Sequence, residues 1–167
     1  MGRSRSAWFR CSWRTRPTCS PAARTADSHS PIEQAALRCD RLTVLVCSIQ
    51  REPIPGSLRY EWVRELYPQH DVQHCIDENP QYPQEHPDFW DIWVRSIRRF
   101  VPTGPDLVFS SEDYGEELAT RLDARHICID KARSVVPISG TAVRADPRAA
   151  WPWIPPQVQA YYERSGD

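Results

Sequence analysis

Four short apolar runs alternate with helical stretches between residues 31 and 130, and this alternation constrains the fold more than any other feature. Leu42–Ser48 (LTVLVCS) is a continuous apolar run of the kind found in strands covered on both faces. Asp71–Ile76 alternates Val72, His74 and Ile76; Asp106–Ser110 and Ala124–Asp130 (ARHICID) read as two further strands. Between them lie stretches with helical spacing. Pro31–Asp40 has an early proline. Ser57–Leu66 has Ser57 as its expected cap and Leu58, Trp62 and Leu66 on one face. Asp88–Phe100 has an acidic cap and buries Phe89, Ile92, Trp93, Ile97 and Phe100; Tyr114–Leu122 follows. The Pro-rich stretch 79–87 is a loop, and short helices are expected at Thr141–Ala145 and Pro156–Glu163. Strands alternating with helices predict an α/β fold: a Rossmann-like parallel sheet with helices on both faces, joined by right-handed crossovers. Ligands of such sheets bind beyond the carboxyl ends of the strands.

The pattern starts on a helix, so a strand is expected before Pro31. Residues 1–30 contain no Leu, Ile or Val but six Arg and six Ser, and they offer no apolar face from which to build one. The expectation is therefore a first strand missing or misread. Residues 1–30 form a separate segment (a disordered tail, a targeting peptide or a misread frame), and residues 31–167 form the folded domain.

The bulk composition excludes some functions. A net charge of −1 gives no basic field for nucleic acid. No apolar run reaches the length of a membrane span. The six cysteines form no CxxC pair and sit at no metal-ligand spacing with histidine, so no metal site is expected. Cys47 and Cys128 fall inside apolar runs and read as small buried thiols in a reducing cytoplasm.

The stretch that carries chemistry is Pro137-Ile138-Ser139-Gly140-Thr141-Ala142-Val143-Arg144, followed by Asp146-Pro147. A small, hydroxyl-rich turn running into a helix leaves backbone N–H groups aimed at one point, where the helix dipole favours an anion. Ser139 and Thr141 add hydroxyl donors. Arg144 lies one turn in, and its planar fork matches phosphate oxygens. This is a candidate polyphosphate site.

ISGTAVR resembles the ISxTxxR motif of the HxGH nucleotidyltransferase superfamily. Other stretches, in order, are similar to nicotinamide-nucleotide adenylyltransferases of the NadR type: Pro55–Trp62 with Arg59, Phe89-Trp90-Asp91-Ile92-Trp93, Ser110-Ser111-Glu112-Asp113-Tyr114-Gly115, and Asp130 and Arg133 before the turn, then Asp146-Pro147 and Trp151 after it. The likeness spans roughly residues 32–164. It implies adenylyl transfer from ATP, with Mg²⁺, to nicotinamide mononucleotide, giving NAD and pyrophosphate by alignment and charge neutralisation and without a covalent intermediate. It implies that Ser139, Gly140, Thr141, Arg144 and Arg133 hold the ATP phosphates, with Arg144 acting in catalysis. It places Ser111 and Glu112 near the nucleotide and makes Trp93, or else Trp90, the ring that stacks on nicotinamide. From the residues alone, Trp93 is equally a core residue of an amphipathic helix, Trp151 and Trp153 are packing residues, and Arg59 and Arg133 are solvated or paired with surface acids.

The sequence departs from that family in two places. The family's GxFxPxHxGH string, whose histidines contact ATP, occurs nowhere in the chain; Ser28-His29-Ser30 lies one residue off its expected end. No GxxxxGK[ST] string of a kinase domain occurs either, so no kinase activity is expected. The chain as written is expected to be a slow catalyst, and without its first strand to be aggregation-prone along two exposed strand edges. The alternatives are a non-catalytic nucleotide-binding relic and a related nucleotidyltransferase with another acceptor.

Overall fold

In a computed structural model of the chain, the described residues are 6–11 as backbone, 30–111, 114–130 and 140–165. The elements are β1 (Ser6–Cys11), α1 (Pro31–Ala36), β2 (Arg41–Cys47), α2 (Gly56–Leu66), β3 (Asp71–Cys75), α3 (Phe89–Phe100), β4 (Leu107–Ser110), α4 (Tyr114–Arg121), β5 (Arg125–Cys128), α5 (Gly140–Ala145) and α6 (Pro156–Ser165). The five strands form one parallel sheet in the order β3-β2-β1-β4-β5. This is the doubly wound α/β arrangement expected from the strand–helix alternation, with the direction of winding reversing between β1 and β4.

The central strand corrects the expectation that none precedes Pro31. Ser6–Cys11 pairs with β2 from Ser6↔Arg41 to Cys11↔Val46, and with β4 from Ala7↔Leu107 to Phe9↔Phe109. The rows of β2 and β4 that would otherwise be bare edges are thus paired, which removes the reason for expecting aggregation along them. A strand need not contain Leu, Ile or Val; the aromatic pair Trp8-Phe9 within this run has high strand preference.

Alternation along the strands sorts the core into two layers. Leu42, Val44, Val46, Val72, Leu107 and Phe109 face α1 and α2, where they meet Ile32, Ala35, Val63 and Tyr67. Leu45, Cys75 and Val108 face α3 and α4, where they meet Phe89, Trp93, Ile97, Leu118 and Leu122. A third cluster joins parts distant in sequence: Ile54 after β2, Trp62 of α2, Val143 of α5, and Ile154, Val158 and Tyr162 of the C-terminal segment.

The helix starts differ in detail from the sequence reading. α1 opens with a capping box: Glu33 N–H donates to Ser30 Oγ (3.3 Å) and Ser30 N–H to the Glu33 carboxylate (2.7 Å), worth about 1 kcal/mol. α2 starts one residue early, with Pro55 at the cap position and Gly56 first in the helix, so Ser57 is not the cap. Asp88 precedes α3 without a side-chain capping bond; its own N–H donates to His86 Nδ1 at 3.0 Å. β3 ends at Cys75, leaving Ile76 exposed beyond the pairing of strands. Cys128 is exposed as well, at the end of the edge strand β5.

Candidate functional site

All five strands point their carboxyl ends the same way, and polar side chains gather there among apolar neighbours. The backbone continues past the strands by two bonds of the same kind: Ser48 N–H donates to the Cys75 carbonyl (2.9 Å) and Ile129 N–H to the Ser110 carbonyl (2.8 Å). Ser48 and Ser110 are both buried, and each serine meets a histidine of the next strand. Ser48 Oγ lies 2.6 Å from His74 Nε2, and Ser110 Oγ lies 2.9 Å from His126 Nε2.

A glycine sits over each pair. A Cβ on Gly56 would fall 2.2 Å from Ser48 Cβ and Oγ and 3.2 Å from His74 Nε2. One on Gly115 would fall 2.0 Å from Ser110 Oγ and 2.5 Å from His126 Nε2. Each helix can approach its serine–histidine pair this closely because its first or second residue lacks a side chain. The sequence reading did not single out Ser48, His74, Ser110, His126 or these glycines. The only local signal is a serine ending an apolar run with a glycine five to eight residues on.

Beside the first pair lies a buried ion pair. Arg59, one turn into α2, is 4% exposed and forms a hydrogen-bonded ion pair with Glu52 of the preceding loop. Its neighbour Tyr60 stacks on His74 with ring centroids 5.1 Å apart. Burial first, and the Arg59 charge second, push His74 below its ordinary value of 6.5. The neutral ring is therefore favoured. Glu52 also accepts from the Ile49 N–H (3.4 Å), which fixes the loop leaving β2.

Beyond β3, a second network straps the 76–88 loop to α3. Asn79 Nδ2 donates to Ser96 Oγ (3.0 Å), and Ser96 Oγ donates to Asp77 (2.7 Å). Arg99 bonds to the same Asp77 carboxylate and holds it below the ordinary carboxylate range, with help from Ser96. Trp93 Nε1 donates to the Pro80 carbonyl at 2.8 Å.

The residues named from the motif fall in several places. Arg133, Ser139 and Glu112 lie outside the described residues, as does the side chain of Thr141. Gly140 begins α5 and is half-buried; Arg144 is exposed in the helix's last turn. Ser111 is half-buried just past β4. Trp93 is 3% exposed within the layer between the sheet and α3–α4. Trp90 is half-buried, edge-on to Phe89 at 4.9 Å, with the Arg121 guanidinium 5.5 Å over its ring. Trp151 packs against the third cluster. Arg59, read as solvated or surface-paired, is instead buried and ion-paired. The third cluster brings α5, which carries Gly140 and Arg144, together with Ile54 and with α2, which carries Arg59. At the exit of β5, Asp130 takes a left-handed backbone (φ 51°), which aspartate tolerates better than most side chains.

A parallel doubly wound sheet whose carboxyl edge gathers buried polar groups defines a Rossmann-like fold, in which ligands bind at that edge. The chain is similar to NadR proteins. It is 27% identical over 120 residues to the trifunctional NAD biosynthesis/regulator protein NadR of Escherichia coli (strain K12), a match covering 70% of this chain and 29% of that protein. It is 25% identical over 115 residues to the protein of the same name from Salmonella typhimurium (strain LT2), covering 65% and 28%. The chain therefore spans less than a third of the length of these relatives. A NadR protein solved in complex with NR has the same fold, with a TM-score of 0.55 at 16% identity over 90% of this chain and 43% of that one. No protein-family model matches the chain. Among the described residues, no helix is long and apolar enough to cross a membrane.

Proposed function

We propose that the chain is a nucleotide-binding domain of the adenylyl-transfer type, acting on ATP and nicotinamide mononucleotide. The observation that carries this reading is the third apolar cluster. It packs the helix that follows ISGT against the loop after β2 and against α2, so that Arg144 and Arg59 belong to elements of one corner of the sheet. The Arg144 guanidinium and the amides of a helix start suit an anionic polyphosphate, and the buried Arg59–Glu52 pair braces the same corner. The NadR likeness supplies the substrate class, since the E. coli and Salmonella proteins are named for NAD biosynthesis.

In this reading Ser139, Gly140 and Thr141 present amides and hydroxyls to the ATP phosphates, with Arg144 and Arg133 adding charge. Ser111 and Glu112 lie by the nucleotide. Mg²⁺ arrives with ATP and neutralises part of its phosphate charge. The acceptor's ring stacks on Trp93 or Trp90. Stacking on Trp93 requires the 79–87 loop to move off the indole, because its N–H is bonded to Pro80. The setting is cytoplasmic, where both substrates are made and used.

The lack of a GxFxPxHxGH string favours a second reading, a domain that binds nucleotide and turns it over slowly or not at all. Loss of such phosphate contacts costs about 3 kcal/mol each in a transition state. One assay separates the readings: pyrophosphate release from ATP with and without nicotinamide mononucleotide, alongside calorimetric binding of each. Binding with acceptor-dependent pyrophosphate release supports transfer, and binding without release supports the relic. Arg144→Ala is expected to weaken ATP binding about tenfold or more, the equivalent of one charge-assisted contact. Unchanged ATP affinity in that variant would remove the phosphate-binding role and, with it, the proposed function.

A further inference from the structure

The carboxyl ends of β2 and β3 hold two thiols side by side. Cys47 and Cys75 are register partners on adjacent parallel strands, and both side chains enter the layer beneath α3 and α4. Neighbouring strands lie about 4.8 Å apart, within the roughly 4.4–6.8 Å between Cα atoms that a disulfide spans. The Cys47 thiol is a side-chain hydrogen-bond partner of Cys75, and both residues are reduced. They differ in access, since Cys75 is 1% exposed and Cys47 is half-buried.

We propose that Cys47 and Cys75 form a reversible disulfide on exposure to a hydroperoxide, with Cys47 oxidised first and Cys75 resolving it. The Cys47 thiolate attacks one peroxide oxygen; the O–O bond breaks, and the departing hydroxide takes up a proton to leave as water, giving a sulfenic acid. The Cys75 sulfur then attacks the Cys47 sulfur, the S–O bond breaks, and the hydroxyl leaves as a second water with the proton of Cys75. Two thiols lose two electrons and two protons, and the peroxide gains them.

The order follows from burial, because peroxide reaches the half-buried sulfur and not the buried one. While both thiols are reduced, the bond from Cys47 pulls the Cys75 thiol below its ordinary value despite burial and the nearby Asp77 carboxylate; once Cys47 carries the sulfenic acid, strand register keeps Cys75 beside it for the second step. Cys39 and Cys128 lack this arrangement. Cys39 is pushed up, chiefly by burial, and donates to the Ala35 carbonyl at 3.4 Å. Cys128 is exposed, and its strand partner is Ser110. The bond would tie β2 to β3 directly beside Ser48 and His74, and it does not depend on the adenylyl-transfer reading.

The test uses the whole chain, treated with hydrogen peroxide, quenched with an alkylating agent and mapped as unreduced peptides. The expected main product joins the Cys47 and Cys75 peptides, forms without denaturant and returns to free thiols with dithiothreitol. In Cys75→Ser, and in Cys75→Ala should the first not fold, dimedone is expected to trap Cys47 sulfenic acid at least about tenfold more than in the wild type. In Cys47→Ser, Cys75 is expected to stay reduced. The proposal is overturned if both thiols remain alkylatable while Cys128 is oxidised, or if the linked peptide appears only after unfolding.

Discussion

The two strand–helix–strand units at the sheet's ends, β2–α2–β3 and β4–α4–β5, use the same device in different electrostatic settings. Each places a strand-end serine against a histidine of the following strand, under a helix that opens on or near a glycine. In the first unit the helix has no acidic residue in its first turn, and Arg59 lies buried beside the pair. In the second, Glu116 and Glu117 occupy the first turn of α4. A helix start free of carboxylates leaves its dipole open to an anion, whereas two glutamates satisfy the helix dipole from within. The anionic part of a ligand is therefore expected over the first unit and its less charged part over the second.

The largest effect expected from this difference is at the buried arginine. Arg59→Ala leaves Glu52 facing a vacated, buried position and is expected to cost about 3 kcal/mol in urea denaturation. Arg121→Ala, whose ion pairs to Glu117 and Asp91 are exposed, is expected to cost less than about 1 kcal/mol. Equal losses would break the contrast between a buried and a solvated cation.

The glycines give a finer comparison. The nearest atom that a Cβ at Gly56 would meet is Ser48 Cβ, which cannot rotate away, while at Gly115 the obstacles are Ser110 Oγ and the His126 ring, which can. Gly56→Ala is expected to destabilise by about 2 kcal/mol, the cost of overpacking. Gly115→Ala is expected to fall at least about 1 kcal/mol short of that, since a rotated serine and the gain in helix preference offset the crowding. The same urea midpoints decide it, and a larger loss at Gly115 would reverse the ranking.

The smallest effect is a pH dependence. His74 has its folded value below the ordinary 6.5, so between the two values the unfolded chain binds more protons than the folded one. Its stabilising contribution is present above pH 6.5 and is lost as the pH falls from 6.5 through the lower, folded value. Thermal melts across that range should decline toward acid in the wild type and decline less steeply in His74→Gln, where His70, also lowered by burial, still titrates. A slope unchanged by the substitution would assign the pH dependence to other groups.

The sequence made the sheet legible where a strand is covered on both faces, because LTVLVCS and the run before Ser110 admit few other structures. It hid β1, whose six residues include Arg10 and no aliphatic residue larger than Ala7; the strand's position is set by the ladders on either side. At the site, the phosphate motif was visible because its chemistry is local. The serine–histidine pairs were not, since Ser48 and His74 are separated by 26 residues and meet only through strand register. The third cluster was equally hidden: nothing near Val143 reveals that Ile54 and Trp62 share its apolar contacts. Trp93 could be read as packing or as ligand stacking, and in the structure it is buried with an N–H bond to Pro80.

No hydrogen-bonded ladder joins β2 to β4; the sheet is continuous across its centre because one short segment pairs with both. That segment acts as a keystone. Removing its pairing would separate the sheet into a left and a right half, each with a newly bared edge. Deuterium uptake at its amides should therefore be among the slowest in the chain and should track global unfolding rather than local fraying.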